Sequence, residues 1–212
     1  MLCELLLNPN NLHFMLDIET LGTESDSVVT EIGLCSFSGN KEYAPSGVFG
    51  KLNIKEQVDA GRRIDKKTIE WHLENNTSNF LSYIDSDKGT CSDVLSEILT
   101  FVKSEKAKMP DSNIYIWANS PTFDIIILQS LYKSLGFDKS NSIFNKDLFS
   151  YSRIYDYRTV INLFGNSVKN LTIDNVTKEM ESLSIESNKH NALYDAIYQS
   201  RVIANIANLS GE

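Results

Sequence analysis

The apolar positions of this chain change their period from segment to segment. Residues 12–18 (LHFMLDI) form a mainly apolar run ending in acid, the pattern of a buried strand. Residues 28–37 (VVTEIGLCSF), rich in Val, Ile and Phe and followed by SGN, predict a second strand closing on a turn, and SGVFGKLNI predicts a third. Their short connections predict an antiparallel meander. The period then lengthens. DKKTIEWHLENN (65–76) opens with an Asp suited to a helix cap and spaces Ile69 and Leu73 four apart. TSNFLSYI and CSDVLSEILTFVKSEKAK continue in helical register through Val94, Ile98 and Phe101 or Val102.

SNIYIWANS (112–120) returns to strand character, and TFDIIILQSLYKSLG predicts a buried helix closed by Gly136, with Asp124 near its start. Residues 141–165 are weakly patterned: a short strand near 153–155 and a helix over 160–164 are expected. KHNALYDAIYQSRVIANIANL (189–209) predicts a final helix, with Leu193, Ile197, Val202 and Ala204 on overlapping faces. This order implies an α/β layer architecture: a central mixed β-sheet, antiparallel meander plus parallel strands, flanked by helices.

Composition narrows the classes. At 212 residues with 42% hydrophobic content, a single domain spanning 1–212 is expected, and no linker or repeat divides it. A net charge of -8, from 20 Lys and Arg against 28 Asp and Glu, supplies no global basic field. Any polyanion must then be held locally or through metal ions. The opening MLCELLLNPNN lacks a basic leader region, carries Glu4 in its apolar run and ends without a small-residue cleavage pattern, which argues against a signal peptide. No run of 18 apolar residues occurs, so no membrane span is expected. Cys3, Cys35 and Cys91 are odd in number and widely separated, so reduced, buried thiols and a cytoplasmic location are expected.

The chemistry begins at DIET. With 14 Asp and 14 Glu in the chain, D-x-E arises about 0.9 times by chance, so the motif alone means little. Its context adds weight: residues i and i+2 of a strand share a face, so Asp17 and Glu19 project side by side from a buried strand end with no Lys or Arg in the local segment. Such a pair persists if one acid is protonated, if basic groups pair with it, or if a cation lies between, and a hard divalent cation needs the fewest additions. Asp124 at a helix start is either a dipole-favoured acid or, if its strand lies parallel beside the first, a member of the same sheet edge. His190 and Asp195 are five apart, about 140° net around a helix, so His190 belongs in the preceding loop and Asp195 one turn inside. Four carboxylates and one imidazole match the requirements of two-metal phosphodiester hydrolysis.

The chain resembles the DEDD exonucleases, and within them the DEDDh branch with the ribonuclease H-like fold. The residues that carry the resemblance are DIET, NSPTFD with Asn119, Phe123 and Asp124, and HNALYD with His190 and Asp195, in the family's order across residues 14–199. The resemblance implies a 3′-5′ exonuclease: Asp17, Glu19, Asp124 and Asp195 holding two Mg²⁺ or Mn²⁺, His190 as general base, and 5′-mononucleotides as product. KKTIEWHLENN with Trp71 and YDYRTVINL with Asp156, Arg158 and Thr159 are similar to exonuclease A of T-even bacteriophages and related bacterial exoribonucleases. That subgroup commonly has two adjacent tryptophans, whereas here His72 follows Trp71. Thr20, Leu21, Trp71, Asn119, Phe123 and Arg158 are the implied substrate-binding residues.

The partners so implied are 3′ ends of single-stranded nucleic acid, with DNA favoured by the phage-like segments and RNA as the alternative, in the host cytoplasm if the chain is phage-encoded. No membrane partner is expected, and the oligomeric state is left open, a homodimer included. A 3′-end binding module without catalysis is the competing class, disfavoured by retention of all five site residues. Three local readings keep two sides. Trp71 either stacks on a base or packs in the core near Ile69 and Leu73. The basic stretch 51–67, including Arg62 and Arg63, either tracks the strand backbone or is a solvated face. Arg158 pairs with Asp156 or a site carboxylate, or contacts phosphate.

Overall fold

The first strand of the chain lies at the centre of the sheet. The computed structural model describes residues 2–39, 45–75, 77–78, 80–81, 89–182 and 190–209. Helix α1 (Leu2–Leu7) leads into β1 (Asn11–Thr20), β2 (Val29–Ser38) and β3 (Ser46–Lys51). Then come α2 (Ile54–Asp59), α3 (Lys66–Asn75), α4 (Cys91–Lys108), β4 (Asn113–Ala118) and α5 (Pro121–Ser134). Strand β5 (Ile154–Asp156), α6 (Tyr157–Leu163), α7 (Gly165–Ser182) and α8 (Ala192–Leu209) complete the described elements. The sheet order is β3-β2-β1-β4-β5, with β1–β2 and β2–β3 antiparallel and β1–β4 and β4–β5 parallel. The expected mixed sheet is therefore present.

Alternation along β1 feeds two cores. Leu12, Phe14, Leu16 and Ile18 face α4 and α5, where Leu95, Ile98, Val102, Leu128 and Leu131 close the larger core. Met15 faces the other way, onto Ala196, Ile203 and Ala207 of α8. Helices cover both faces, which is why β1 reads as a continuous apolar run rather than an alternating one. The end of α5 follows the sequence expectation: Gly136, at φ +77, donates to the Lys133 carbonyl, and Phe137 N–H donates to Tyr132. Tyr132 and Phe137 meet edge to face at 5.5 Å, completing a Schellman closure that only a residue without a Cβ enters at no cost. Cys35 and Cys91 are free and buried as expected, while the Cys3 side chain lies outside the described residues. No described helix is long and apolar enough to cross a membrane.

Several expectations need correction. The third strand stops at Lys51, because the Asn53 side chain accepts the Glu56 N–H at 3.1 Å and starts α2 where strand was expected to continue to residue 54. In α3, capped by Asp65 as predicted, Leu73 is 48% exposed, while His72 is buried. His72 Nε2–H donates to the Thr20 carbonyl at 3.0 Å and its ring stacks on Phe80, so a hydrogen bond to the end of β1 and this stack set the buried face. Of the helix expected over 77–84, residues 79 and 82–84 lie outside the described residues. Helices α1 and α7 had no sequence counterpart; α7 presents Thr172, Val176 and Met180, and the two apolar ones pack with Val202 and Ile206 on the outer side of α8.

Candidate active site

Two parallel strand ends and one helix start converge at a single sheet edge. Register pairs Asp17 with Gly33 and Glu19 with Glu31 across β1 and β2, so both acids of DIET point to the face that α8 covers. Because β4 lies parallel beside β1, its C-terminal end opens at the same edge, and the turn through Asn119 and Ser120 delivers Asp124 into the first turn of α5. Across the cavity, His190 occupies a left-handed turn at φ +65, Asn191 accepts the Tyr194 N–H at 3.1 Å, and α8 begins at Ala192. Asp195 sits in its first turn, as the five-residue spacing requires.

Asp17, Glu19, Asp124, His190 and Asp195 line one cavity of about 620 Å³ together with Asn119, Phe123 and Arg158. Ligand atoms of Glu19, His190 and Asp195 all lie within 4.8 Å of one another. Three of the carboxylates accept hydrogen bonds from the protein. Ser120 N–H donates to Asp124 Oδ2 at 3.2 Å, His190 N–H to Asp195 Oδ2 at 3.1 Å, and Gln199 Nε2 to Asp17 Oδ1 at 3.0 Å. Glu31, on the strand beside Glu19, is buried, accepts the Ala192 N–H at 3.3 Å and lies 3.9 Å from Lys51. It thereby ties the start of α8 to the sheet.

The electrostatics are those of crowded acids. Burial, reinforced by Asp124 and Asp195, holds the Asp17 carboxyl well above the usual range. Burial and then Asp17 push Glu19 up to about 9, and burial pushes Asp124 up to about 7 against the pull of backbone N–H groups and Arg158. These oxygens favour a positive partner, and carboxylate oxygens with one imidazole suit a hard divalent cation. The residues therefore fit the implied metals.

A second cavity of about 320 Å³ shares Ile18, Glu19 and Phe123 with the first and extends along α3, lined by Thr20, Lys67, Thr68 and Trp71. Trp71 is 44% exposed, with its ring edge-on to His190 at 5.5 Å, which removes the core-packing reading. Leu21 does not reach either cavity: its side chain is buried with Val28 and Phe80 behind the site. The backbone-tracking reading of Arg62 also fails. Arg62 is buried and donates to the carbonyls of Ser25, Ser27 and Ile127, while Arg63 pairs with Asp26, Lys55 with Asp59 and Lys66 with Glu70. Asp156 accepts the backbone N–H groups of Arg158 and Thr159 and caps α6, while the Arg158 side chain lines the first cavity and lowers the pKa of Asp124.

Gln199, Glu31 and Gly33 escaped sequence reasoning. Gln199 follows Asp195 by one helical turn, a spacing that places it on the same face. Glu31 is an acid within a β-rich run, as Asp17 is, and alternation assigns it to the same side of the sheet. Nothing local marks Gly33, whose constraint comes from a helix 159 residues later.

The model of the Rv2179c-like 3′-5′ exoribonuclease domain matches residues 12–207. No curated protein matches the chain in sequence. Among solved structures, a product-bound exonuclease I is similar at a TM-score of 0.53 and 8% identity over 94% of this chain and 46% of that one. An Escherichia coli exonuclease I in complex with a 5cy-dA13 oligonucleotide gives a TM-score of 0.44 at 11% identity, over 93% and 39% respectively. The chain thus spans less than half the length of these structures, and the first likeness, with the sheet order, shows a ribonuclease H-like fold.

Proposed function

As the chain belongs to the Rv2179c-like 3′-5′ exoribonuclease domain family, we propose that it is a 3′-5′ exonuclease that hydrolyses single-stranded nucleic acid with the help of two Mg²⁺ or Mn²⁺ ions. The observation that carries this reading is the convergence of Asp17, Glu19, Asp124, His190 and Asp195 on one cavity at the sheet edge. Asp17, Glu19, Asp124 and Asp195 hold the cations. When bound, these supply positive charge at the phosphate and acidify the attacking water.

His190 takes the proton of the attacking water on an imidazole nitrogen. The P–O3′ bond breaks, the departing 3′ oxygen gains a proton, and the products are a 5′-mononucleotide and a strand shortened by one. The left-handed backbone of His190 turns the imidazole towards Glu19 and Asp195 from the loop rather than from the helix. Trp71 and Phe123 border the second cavity, where the terminal base stacks, and Asn119 and Arg158 line the side nearest Asp124, where phosphate oxygens need donors.

The family's description favours RNA as the strand, while the segments similar to phage exonuclease A favour DNA. A mixture of matched RNA and DNA oligonucleotides, each labelled at its 3′ end, tests both at once. Release of labelled 5′-mononucleotide with Mg²⁺ or Mn²⁺, abolished by EDTA and by Asp17→Ala, is the expected result, with RNA consumed first. Metal-dependent binding without release would leave a 3′-end binding module, and release from the 5′ end would overturn the polarity.

A further inference from the structure

Helix α8 brings three polar groups to the site: His190 just before it, Asp195 in its first turn, and Gln199 one turn further along the same face. Around Gln199 the surface that α8 turns to the sheet is mainly apolar, with Ala196, Ile203 and Ala207 packed on Met15 and Trp117 and the small hydroxyl of Ser200 beside Cys35. Packing alone would accept Leu or Met at position 199. The amide that stands there is 7% exposed, its Nε2 lies 3.0 Å from Asp17 Oδ1, and its Oε1 is buried with no hydrogen-bond partner among the described residues. An unpartnered buried carbonyl carries a desolvation cost that the helix does not require.

Asp17 stands at the centre of the crowded acids and needs a fixed side-chain orientation if its second oxygen is to face the cavity. A Lys or Arg at position 199 would fix it too, but would cancel the charge that attracts a cation. A neutral N–H donor anchors the carboxylate and leaves its full charge available. Neutral donors also reach two other acids, since Ser120 and His190 give backbone N–H groups to Asp124 and Asp195.

We propose that Gln199 is a positioning residue that holds the Asp17 carboxylate in its cation-binding orientation. This rests on the cation-assisted reading above. It assigns to α8 a third contribution besides His190 and Asp195, and it explains why a buried amide interrupts an apolar interface.

The test uses the full chain with Mn²⁺ alone, titrated by calorimetry in wild type, Gln199→Leu and Gln199→Met. Loss of a group that orients a metal ligand typically weakens affinity by about 10- to 100-fold, and a Kd raised at least tenfold is expected in both variants. The melting temperature without metal should stay near the wild-type value, because removal of the orphaned carbonyl offsets loss of the donor to Asp17. On an oligonucleotide, kcat should fall while KM stays within about twofold, since the groups lining the second cavity are untouched. Lower thermal stability in both variants with unchanged Mn²⁺ affinity would assign Gln199 a purely structural role and overturn the proposal. Wild-type protein that binds no Mn²⁺ would instead remove the cation-assisted reading itself, an outcome distinct from a wild type that binds while the variants match it.

Discussion

Replacing Gly33 by alanine puts a methyl group where α8 meets the sheet. A Cβ on Gly33 would lie 2.1 Å from the carbonyl carbon of Ala192, 2.2 Å from its oxygen and 2.2 Å from the Leu193 nitrogen. All three are backbone atoms, so no side chain can rotate away. Restoring an ordinary contact of 3.4 Å moves the start of α8 by about 1.3 Å. Alanine is intrinsically the better strand residue by about 0.5–1 kcal/mol, but overpacking costs about 1–3 kcal/mol, and contact with immobile backbone lies at the upper end. The net expectation is destabilisation.

Activity should suffer more than stability. Ala192 lies two residues after His190 and three before Asp195, so both move with it, away from Glu19 on β1. A misplacement of about 1 Å is enough to lose about 100-fold in rate, close to 2.7 kcal/mol of barrier. Single-turnover cleavage of a 3′-labelled oligonucleotide measures this, beside thermal melting. Gly89→Ala, with nothing within 4 Å of its Cβ, serves as the control, and Gly47→Ala, whose one contact under 3.0 Å is the side-chain Leu193 Cδ1 at 2.8 Å, should be intermediate. A Gly33→Ala protein with wild-type kcat and wild-type Tm would refute the argument that this close approach registers the site.

Three further expectations concern other parts of the molecule. Without metal, Glu19 and Asp124 keep protons in the folded state up to about 9 and about 7, which the unfolded chain releases near 4.5 and 3.8. The stability they contribute is full below those lower values and is lost as pH rises through the higher ones, so Tm should fall from pH 6 to 9. Added Mn²⁺ should raise Tm most at the alkaline end, Glu19→Gln should flatten the metal-free slope, and a level profile would disprove the crowding. Trp71→Ala should raise KM by roughly 5- to 150-fold, the equivalent of about 1–3 kcal/mol of base stacking. Since Trp117 is fully buried, strand binding should quench the Trp71 fluorescence, and no change in either measure excludes stacking. Arg62→Ala should lower stability by about 1–3 kcal/mol for each carbonyl left unsatisfied among Ser25, Ser27 and Ile127, without altering the salt dependence of KM. A flatter salt slope at unchanged Tm would return Arg62 to the strand path.

Much of the site was legible because its chemistry is written in short spacings. Asp17 and Glu19 share a strand face by a two-residue period, and the five-residue spacing of His190 and Asp195 puts the imidazole in the loop and the acid in the helix. Strand ends and apolar periods predicted the meander, β4, α4, α5 and α8, because burial on a repeating face leaves a periodic trace. Leu21 and Arg62 went wrong for one shared reason. Exposure is set by what packs from elsewhere: Phe80 closes over Leu21, and α5 brings Ile127 against Arg62.

By itself, then, the order of residues determined which groups exist, in what local geometry, and on which kind of element. Only the tertiary structure decided that β4 lies parallel beside β1 and so brings Asp124 to the edge that holds Asp17 and Glu19. It alone decided that Trp71 lies against His190, that Gln199 reaches Asp17 across 182 positions, and that Gly33 must lack a side chain for α8 to approach. Periodicity records the face a residue turns to its own element's neighbours. The identity of those neighbours depends on chain crossings hundreds of atoms away, and these leave no mark in any local window of sequence.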